Sequence, residues 1–215
     1  DPCTVVARLY DADGNAVADG FEVKFETDLG TITSSDTTEG GVAEAQFYPG
    51  KAVGTATIEA SCEGVSGQVT VDVVAGEPSS IDLSCDCSEI TVGSTTPCTI
   101  TARPEDQYGN AVSDGYLVSF EADLGNVTSG DVVEGGVAEA QFLPGTIPGV
   151  ATVVAKCGSA TAEIYIKVVA AAPAVMNLTS DCSEVVAGSF DPCTVVARLY
   201  DADGNAVADG FEVKF

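Results

Sequence analysis

The first 25 residues of this chain, DPCTVVARLYDADGNAVADGFEVKF, recur without a change as residues 191–215. A looser repetition lies inside that interval. Shifted by 95 positions, the sequence overlays itself without a gap: residues 3–50 fall on 98–145, and 79–93 fall on 174–188. Neighbouring copies are alike but not identical, whereas copies two steps apart are identical, so the natural unit is a pair of related segments 190 residues long. Such a period constrains the fold before any residue is assigned. Each copy has to be a small unit repeated along the chain, and one large core shared by all residues is not compatible with it.

Within each copy the apolar residues alternate at period two, as strands with one buried face do. In the second copy a first strand is expected over 80–92, kinked at Asp86, followed by B at 98–104 with Cys98, Ile100 and Ala102 inward. Strand C is expected at 116–121 with Tyr116, Val118 and Phe120 inward, and a short D near 126–133. Strand E covers 137–142 with Ala138, Ala140 and Phe142 inward, F covers 150–157 with Ala151, Val153, Ala155 and Cys157, and G covers 162–169 with Ile164, Ile166 and Val168. Turn-forming residues punctuate the joints, in DQYGN, DLGN, VEGG and LPG. No segment carries a helical period.

About seven short strands in roughly 95 residues is the arithmetic of an immunoglobulin-like sandwich. The expected fold is therefore all-β: tandem immunoglobulin-like sandwiches linked end to end. On this reading residues 1–75 form a domain lacking its first strand, residues 76–171 form a complete one, and residues 173–215 hold the first strand, B and C of the next repeat. The linkers VVAGEPSS and VVAAAPAV are short, and Pro78 and Pro173 stiffen them.

Composition narrows the function. The formal net charge is −25, yet 45% of residues are hydrophobic, so the chain has material for real cores and is not a disordered acidic tail. A charge of this sign argues against nucleic acid and against anionic membrane surfaces. No apolar run approaches the roughly 20 residues of a spanning helix, so no direct membrane insertion is expected, and any export signal or anchor would lie outside this segment. The chain has no His, and its carboxylates fall on outward strand positions or in turns. Acid–base chemistry on Asp and Glu alone needs burial or close pairing to separate their pKa values. No enzyme and no cofactor is expected.

Three smaller signals bear on possible sites. Asp11, Asp13 and Asn15, in the turn DADGN, imitate the start of a calcium loop, but no Glu fits its twelfth position. Asx bonding in a B–C turn accounts for these residues better, and no metal is assigned. Asn126 and Asn177 each open an Asn-X-Thr sequon that could carry a glycan on an exported chain. Tyr10, Tyr108 and Tyr165 sit on separate elements and make no sugar-binding platform.

The eight cysteines are more informative. Three positions recur with the period, and Cys85 occurs once per pair of copies. Cys85-Asp-Cys87 lacks the spacing and second ligand pair of a zinc site, so disulfides and an oxidising compartment are the better account. Cys87 and Cys98 flank a turn near Val92 and Gly93 and are placed to pair across it, as are Cys182 and Cys193. Cys85 and Cys157 are then expected to meet at the opposite end of the domain. Position 180, one period on from Cys85, is a Ser, which leaves Cys62 unpaired, free or bonded to another chain, and Cys3 with it.

The runs TARPEDQYGNAVSDGYLVSFEADLG, EGGVAEAQF and GVATVVAKC resemble the invasin/intimin type of bacterial immunoglobulin-like domain, group one. The likeness covers nearly the whole of both copies. It implies an extracellular stalk of stacked sandwiches with no catalytic residues to transfer. The cysteine content departs from that pattern.

The function expected from these features is structural: the non-catalytic shaft of an extracellular filament, fibre or long adhesin stalk at the cell surface, with copies of itself as partners. A ligand-binding adhesin module and a surface-layer lattice protein are the alternatives. Residues 173–190 match the first-strand segment that residues 1–75 lack. One sandwich cannot hold both residues 1–25 and their copy, so the completing segment is expected to be covalently continuous, with residues 1 and 215 internal to a longer polypeptide. Reduced, denatured native material should then run as a very large polypeptide, and a discrete species near the 21.7 kDa of this chain would overturn the expectation.

Overall fold

The computed structural model describes residues 2–215, and every regular element in them is a β-strand. No helix among the described residues is long and apolar enough to cross a membrane. The chain divides into two compact units, Asp1–Glu77 with Glu105–Ser113, and Pro78–Pro104 with Asp114–Phe215.

The first unit holds β1 (Cys3–Arg8), β2 (Glu22–Thr27), β3 (Thr31–Ile32), β4 (Ser35–Thr37), β5 (Val42–Tyr48), β6 (Gly54–Cys62) and β7 (Val65–Val73). One sheet has the order β1-β5-β3 and the other β4-β2-β6-β7. Alternation decides which residues meet between them. Val5, Ala43, Ala45 and Phe47 face Val23, Phe25, Ala56 and Ile58 in a single buried cluster, while Thr4, Glu44, Lys24 and Glu59 point outward.

The second unit holds β8 (Ser80–Cys85), β9 (Glu89–Thr91), β10 (Cys98–Glu105), β11 (Leu117–Ala122), β12 (Asn126–Val127), β13 (Gly130–Val132), β14 (Ala138–Leu143), β15 (Gly149–Cys157) and β16 (Ala160–Val169). A separate two-stranded sheet follows, β17 (Val175–Ser180) and β18 (Val195–Tyr200). The two main sheets have the orders β12-β14-β10-β8 and β13-β11-β15-β16-β9. Ile100, Ala140, Phe142, Val118, Phe120, Val153 and Ile166 are buried between them. This is the all-β, immunoglobulin-like arrangement.

The details differ from the sequence expectation in four places. The segment 80–92 is not one kinked strand. It leaves one sheet after β8 and joins the other as β9, which runs parallel to β16 with Ile90 opposite Val168. The crossing is fixed at Asp86, whose N–H donates to the Thr99 carbonyl at 3.1 Å and whose Oδ1 accepts from the Thr99 N–H at 2.8 Å. The short D likewise splits into β12 and β13, which pair with β14 and β11 in different sheets. Tyr116 is half-buried and lies just ahead of β11. Residues 212–215, expected as a strand C, form no strand. Their counterparts in the two repeats pair with β6 and β15.

The DLG turn after strand C has a steric reason. Gly125 sits at φ 77, and a Cβ there would lie 2.5 Å from the Leu143 carbonyl oxygen and 3.0 Å from the Phe142 ring. Gly109, at φ 82, has nothing within 4 Å of the same point. Gly109→Ala should cost only the left-handed conformation, about 1–2 kcal/mol. Gly125→Ala should cost clearly more, because the Phe142 ring it displaces is a core residue. Urea unfolding of both variants checks this, and equal losses would remove the close approach from the explanation.

Candidate joint, groove and cysteine sites

The turn D-x-x-G-N occurs three times, at Asp11–Asn15, Asp106–Asn110 and Asp201–Asn205. In each, one carboxylate oxygen accepts backbone N–H groups two and four residues on, as an Asx turn does: for Asp11 these are Asp13 at 3.0 Å and Asn15 at 2.9 Å. The Asn15 side chain donates to the same carboxylate at 3.2 Å. The turn's own N–H groups thus occupy the oxygens that a calcium loop would need free.

In two of the three turns the same pair also binds the preceding repeat. Within the first unit, Asp106 Oδ2 accepts the Gly76 N–H at 3.0 Å, and Asn110 Nδ2 donates to the Lys51 carbonyl at 2.8 Å. The Lys51 ammonium lies 5.4 Å above the Tyr108 ring. Within the second unit the bonds recur 95 residues on: Asp201 Oδ2 accepts from Ala171 N–H at 3.2 Å, and Asn205 Nδ2 donates to the Thr146 carbonyl at 2.8 Å. Asp106 and Asp201 are buried, at 4% and 0% exposure, whereas Asp11 is exposed. Buried carboxylates are costly without partners, and here every oxygen has them. Hydrogen bonds from the Asn110 side chain, then from the Gly76, Asn110 and Tyr108 N–H groups, hold the Asp106 carboxyl well below the usual carboxylate range, against a desolvation that pushes it up. Asp201 is lowered in the same way, first by the Asn205 side chain. Sequence reasoning missed this clasp because it compared DADGN with a calcium loop. The usable signal was the Asp and Asn four apart at all three turns.

A second feature is a groove in the first unit. Between β1 and β7 lies a cavity of about 490 Å³, lined by Val5, Ala7, Leu9, Phe21, Val65 and Val69 among others. Val65 and Val69 are 64% and 48% exposed, while their counterparts one period on in β16, Ala160 and Ile164, are buried and half-buried. In the second unit β8 and β9 cover that flank. Cys3 is exposed at the groove's β1 end, while its counterpart Cys98 is 3% exposed.

The structure joins Cys87 to Cys98 and Cys182 to Cys193, with Cα–Cα distances of 5.7 and 5.9 Å. Cys85 does not meet Cys157. The Cys85 sulfur lies 3.8 Å from that of Cys87, at the end of β8. Cys157 closes β15 beside Gly158, where a Cβ would be 3.7 Å from Pro78, just ahead of β8. The length of β8, about 17 Å, separates the two thiols. Burial pushes both the Cys157 and Cys85 thiols up, which keeps them protonated. Cys62 is buried and free. Cys85, Asp86, Cys87 and Cys98 cluster as metal ligands would. With Cys87 and Cys98 bonded to each other, however, two of the four offer no thiolate. Asn126 is exposed on β12 and Asn177 on β17, where it pairs with Arg198.

The sequence matches no protein-family model and no curated protein. Solved structures do match. The Escherichia coli adhesin FdeC is 21% identical with a TM-score of 0.69, over 96% of this chain and 70% of that one. Yersinia pseudotuberculosis InvD is 24% identical with a TM-score of 0.66, over 95% of this chain and 66% of that one. Invasin, a bacterial integrin-binding protein, is 24% identical with a TM-score of 0.58, over 97% of this chain and 44% of that one. The fold is that of bacterial immunoglobulin-like adhesin domains. The chain spans less than half the length of the invasin structure and about two thirds of the other two.

The clasp should be sensitive to acid. A carboxyl whose folded pKa is depressed stabilises above its unfolded value, near 3.9, and loses that contribution as pH falls below it toward the folded value. Asp106→Asn should therefore lower thermal stability at pH 6, with the gap to wild type closing as pH falls below about 3.9. Calorimetry across pH 6 to 2 reads the gap, and one that does not change with pH would take the charge out of the account.

Proposed function

We propose that the chain is part of the shaft of an extracellular filament, fibre or long adhesin stalk, in which repeats of this kind stand end to end on copies of themselves. The supporting observation is the clasp. One turn of a repeat is hydrogen-bonded through Asp106 and Asn110 to residues 51 and 76 of the repeat before it, and the same bonds recur through Asp201 and Asn205. A joint tied at two points with a buried carboxylate resists swivelling, and resistance to swivelling is what a shaft needs. The short linkers agree with this: Pro78 is buried, and the Ser159 hydroxyl donates to its carbonyl at 3.3 Å.

The cell-surface setting is supported by the adhesins that share the fold and by disulfides, which persist in oxidising compartments. A charge of −25 keeps neighbouring shafts apart. Nothing in this reading calls for catalysis or a bound cofactor. Electron microscopy of native material should show thin unbranched fibres or stalks with a beaded repeat. Free compact particles would overturn the proposal, and a two-dimensional lattice would replace it with a surface layer.

A further inference from the structure

We propose that Cys85, Cys87 and Cys98 form a thiol–disulfide exchange site: Cys85 takes over the bond to Cys98, and the displaced Cys87 thiol is the point at which a low-molecular-weight disulfide modifies the chain. All three lie in the second unit, on the flank that β8 and β9 close.

The geometry is that of a thiol held against a bridge. The Cys85 sulfur lies 3.8 Å from that of Cys87, and the three sulfurs are all within 4.8 Å of one another. A thiol in line for attack on Cys87 would have Cys98 about 6 Å away, a bond length beyond the near sulfur. Cys85 therefore sits beside the bridge, within a side-chain rotation of either sulfur. The backbone keeps it there. Asp86 is tied to Thr99 through both its N–H and its carboxylate, which pins its neighbours Cys85 and Cys87 next to Cys98. A nucleophile held against its target reacts as though highly concentrated.

The anchoring of the sulfurs decides which bond forms. Cys98 is 3% exposed at the start of β10, and Cys85 ends β8, the strand next to it. Cys87 is half-buried and belongs to no strand, because it lies on the crossing between the sheets. A Cys85–Cys98 bond thus joins two neighbouring strands and frees the one cysteine that can move. Its ring is two residues longer than the present one, so chain entropy hardly separates the two bridges. A Cys85–Cys87 bond would instead close over Asp86 alone, against the two bonds that hold this residue on Thr99.

The next repeat has the same bridge and the same clip, Asp181 on Thr194, but no third sulfur. Ser180 stands one period on from Cys85, with its Oγ 3.4 Å from the Cys182 sulfur and 3.5 Å from that of Cys193. A hydroxyl with no base beside it does not displace a thiolate, so that bridge is fixed. Exchange is confined to one repeat of each pair.

Both steps balance. The Cys85 thiolate attacks the Cys98 sulfur, the Cys87–Cys98 bond breaks, and Cys87 leaves as a thiolate. That thiolate attacks a small disulfide RS–SR, forms Cys87–S–SR and releases RS⁻, which takes up the proton that Cys85 gave away. Desolvation raises the Cys85 thiol, so little thiolate is present at one time and the exchange runs over minutes to hours.

The test incubates the full chain, carrying Cys3→Ser to remove the exposed free thiol, with glutathione disulfide. Remaining thiols are blocked with N-ethylmaleimide at acid pH and peptides are mapped without reduction, cleavage before Asp86 separating Cys85 from Cys87. The expected product carries glutathione on Cys87 and a Cys85–Cys98 bridge. Cys85→Ser, which installs the residue the next repeat already has, should abolish that adduct. Ser180→Cys should create its equivalent, glutathione on Cys182 with position 180 bridged to Cys193. Glutathione on Cys85 with the Cys87–Cys98 bridge intact, a Cys87 adduct that survives Cys85→Ser, or no adduct on either residue would each overturn the proposal. So would a Ser180→Cys chain in which Cys182 stays bonded to Cys193 throughout.

Discussion

Each strand of this chain is apolar on one face only, so no sheet can stand without a second sheet against it. Everything else in the structure follows from how completely that pairing is met. In the second unit the first-strand segment divides itself between the two sheets, β8 on β10 and β9 on β16, and closes both flanks. In the first unit the same flank is open, and an otherwise equivalent β7 shows Val65 and Val69 to solvent. The cores of the two units are alike, with Phe47 and Phe142 both buried at 1% exposure or less.

Most of the architecture was legible from period two. The inward sets Ala138, Ala140, Phe142 and Ala151, Val153, Ala155, Cys157 lie in the core, because a strand half-buried on a sheet has no other way to satisfy its pattern. The sheet changes at Asp86 and between Val127 and Gly130 were not legible, because alternation reports the face of a residue and not which neighbour its backbone bonds. Two pairs of strands read as one each for that reason.

The sites were less legible than the fold. Spacing placed Cys87 near Cys98 because a turn of that length brings strand ends together, and the structure has the bond. It misplaced Cys85 and Cys157, since nothing in a linear spacing says that β8 begins, rather than ends, beside the β15–β16 turn. The clasp at Asp106 was hidden for a different cause. The Asp and Asn four apart mark the turn, but the partners, Lys51 for Asn110 and Gly76 for Asp106, are 59 and 30 residues away, and a backbone carbonyl or N–H gives no sign of what it binds.

The Cys87–Cys98 bond also sets how a pulling force would travel. Tension entering at Pro78 runs along β8 to Cys87 and passes through sulfur directly into β10, because a covalent bridge is the shorter and stiffer path. Residues 88–97 hang off that path in a closed loop, so β9 and its parallel bonds to β16 are shielded from load. Cutting the bridge would put β9 in line and release up to roughly 35 Å of slack from ten residues. With the bridge intact, then, the parallel seam of the sandwich holds the fold together without bearing the load.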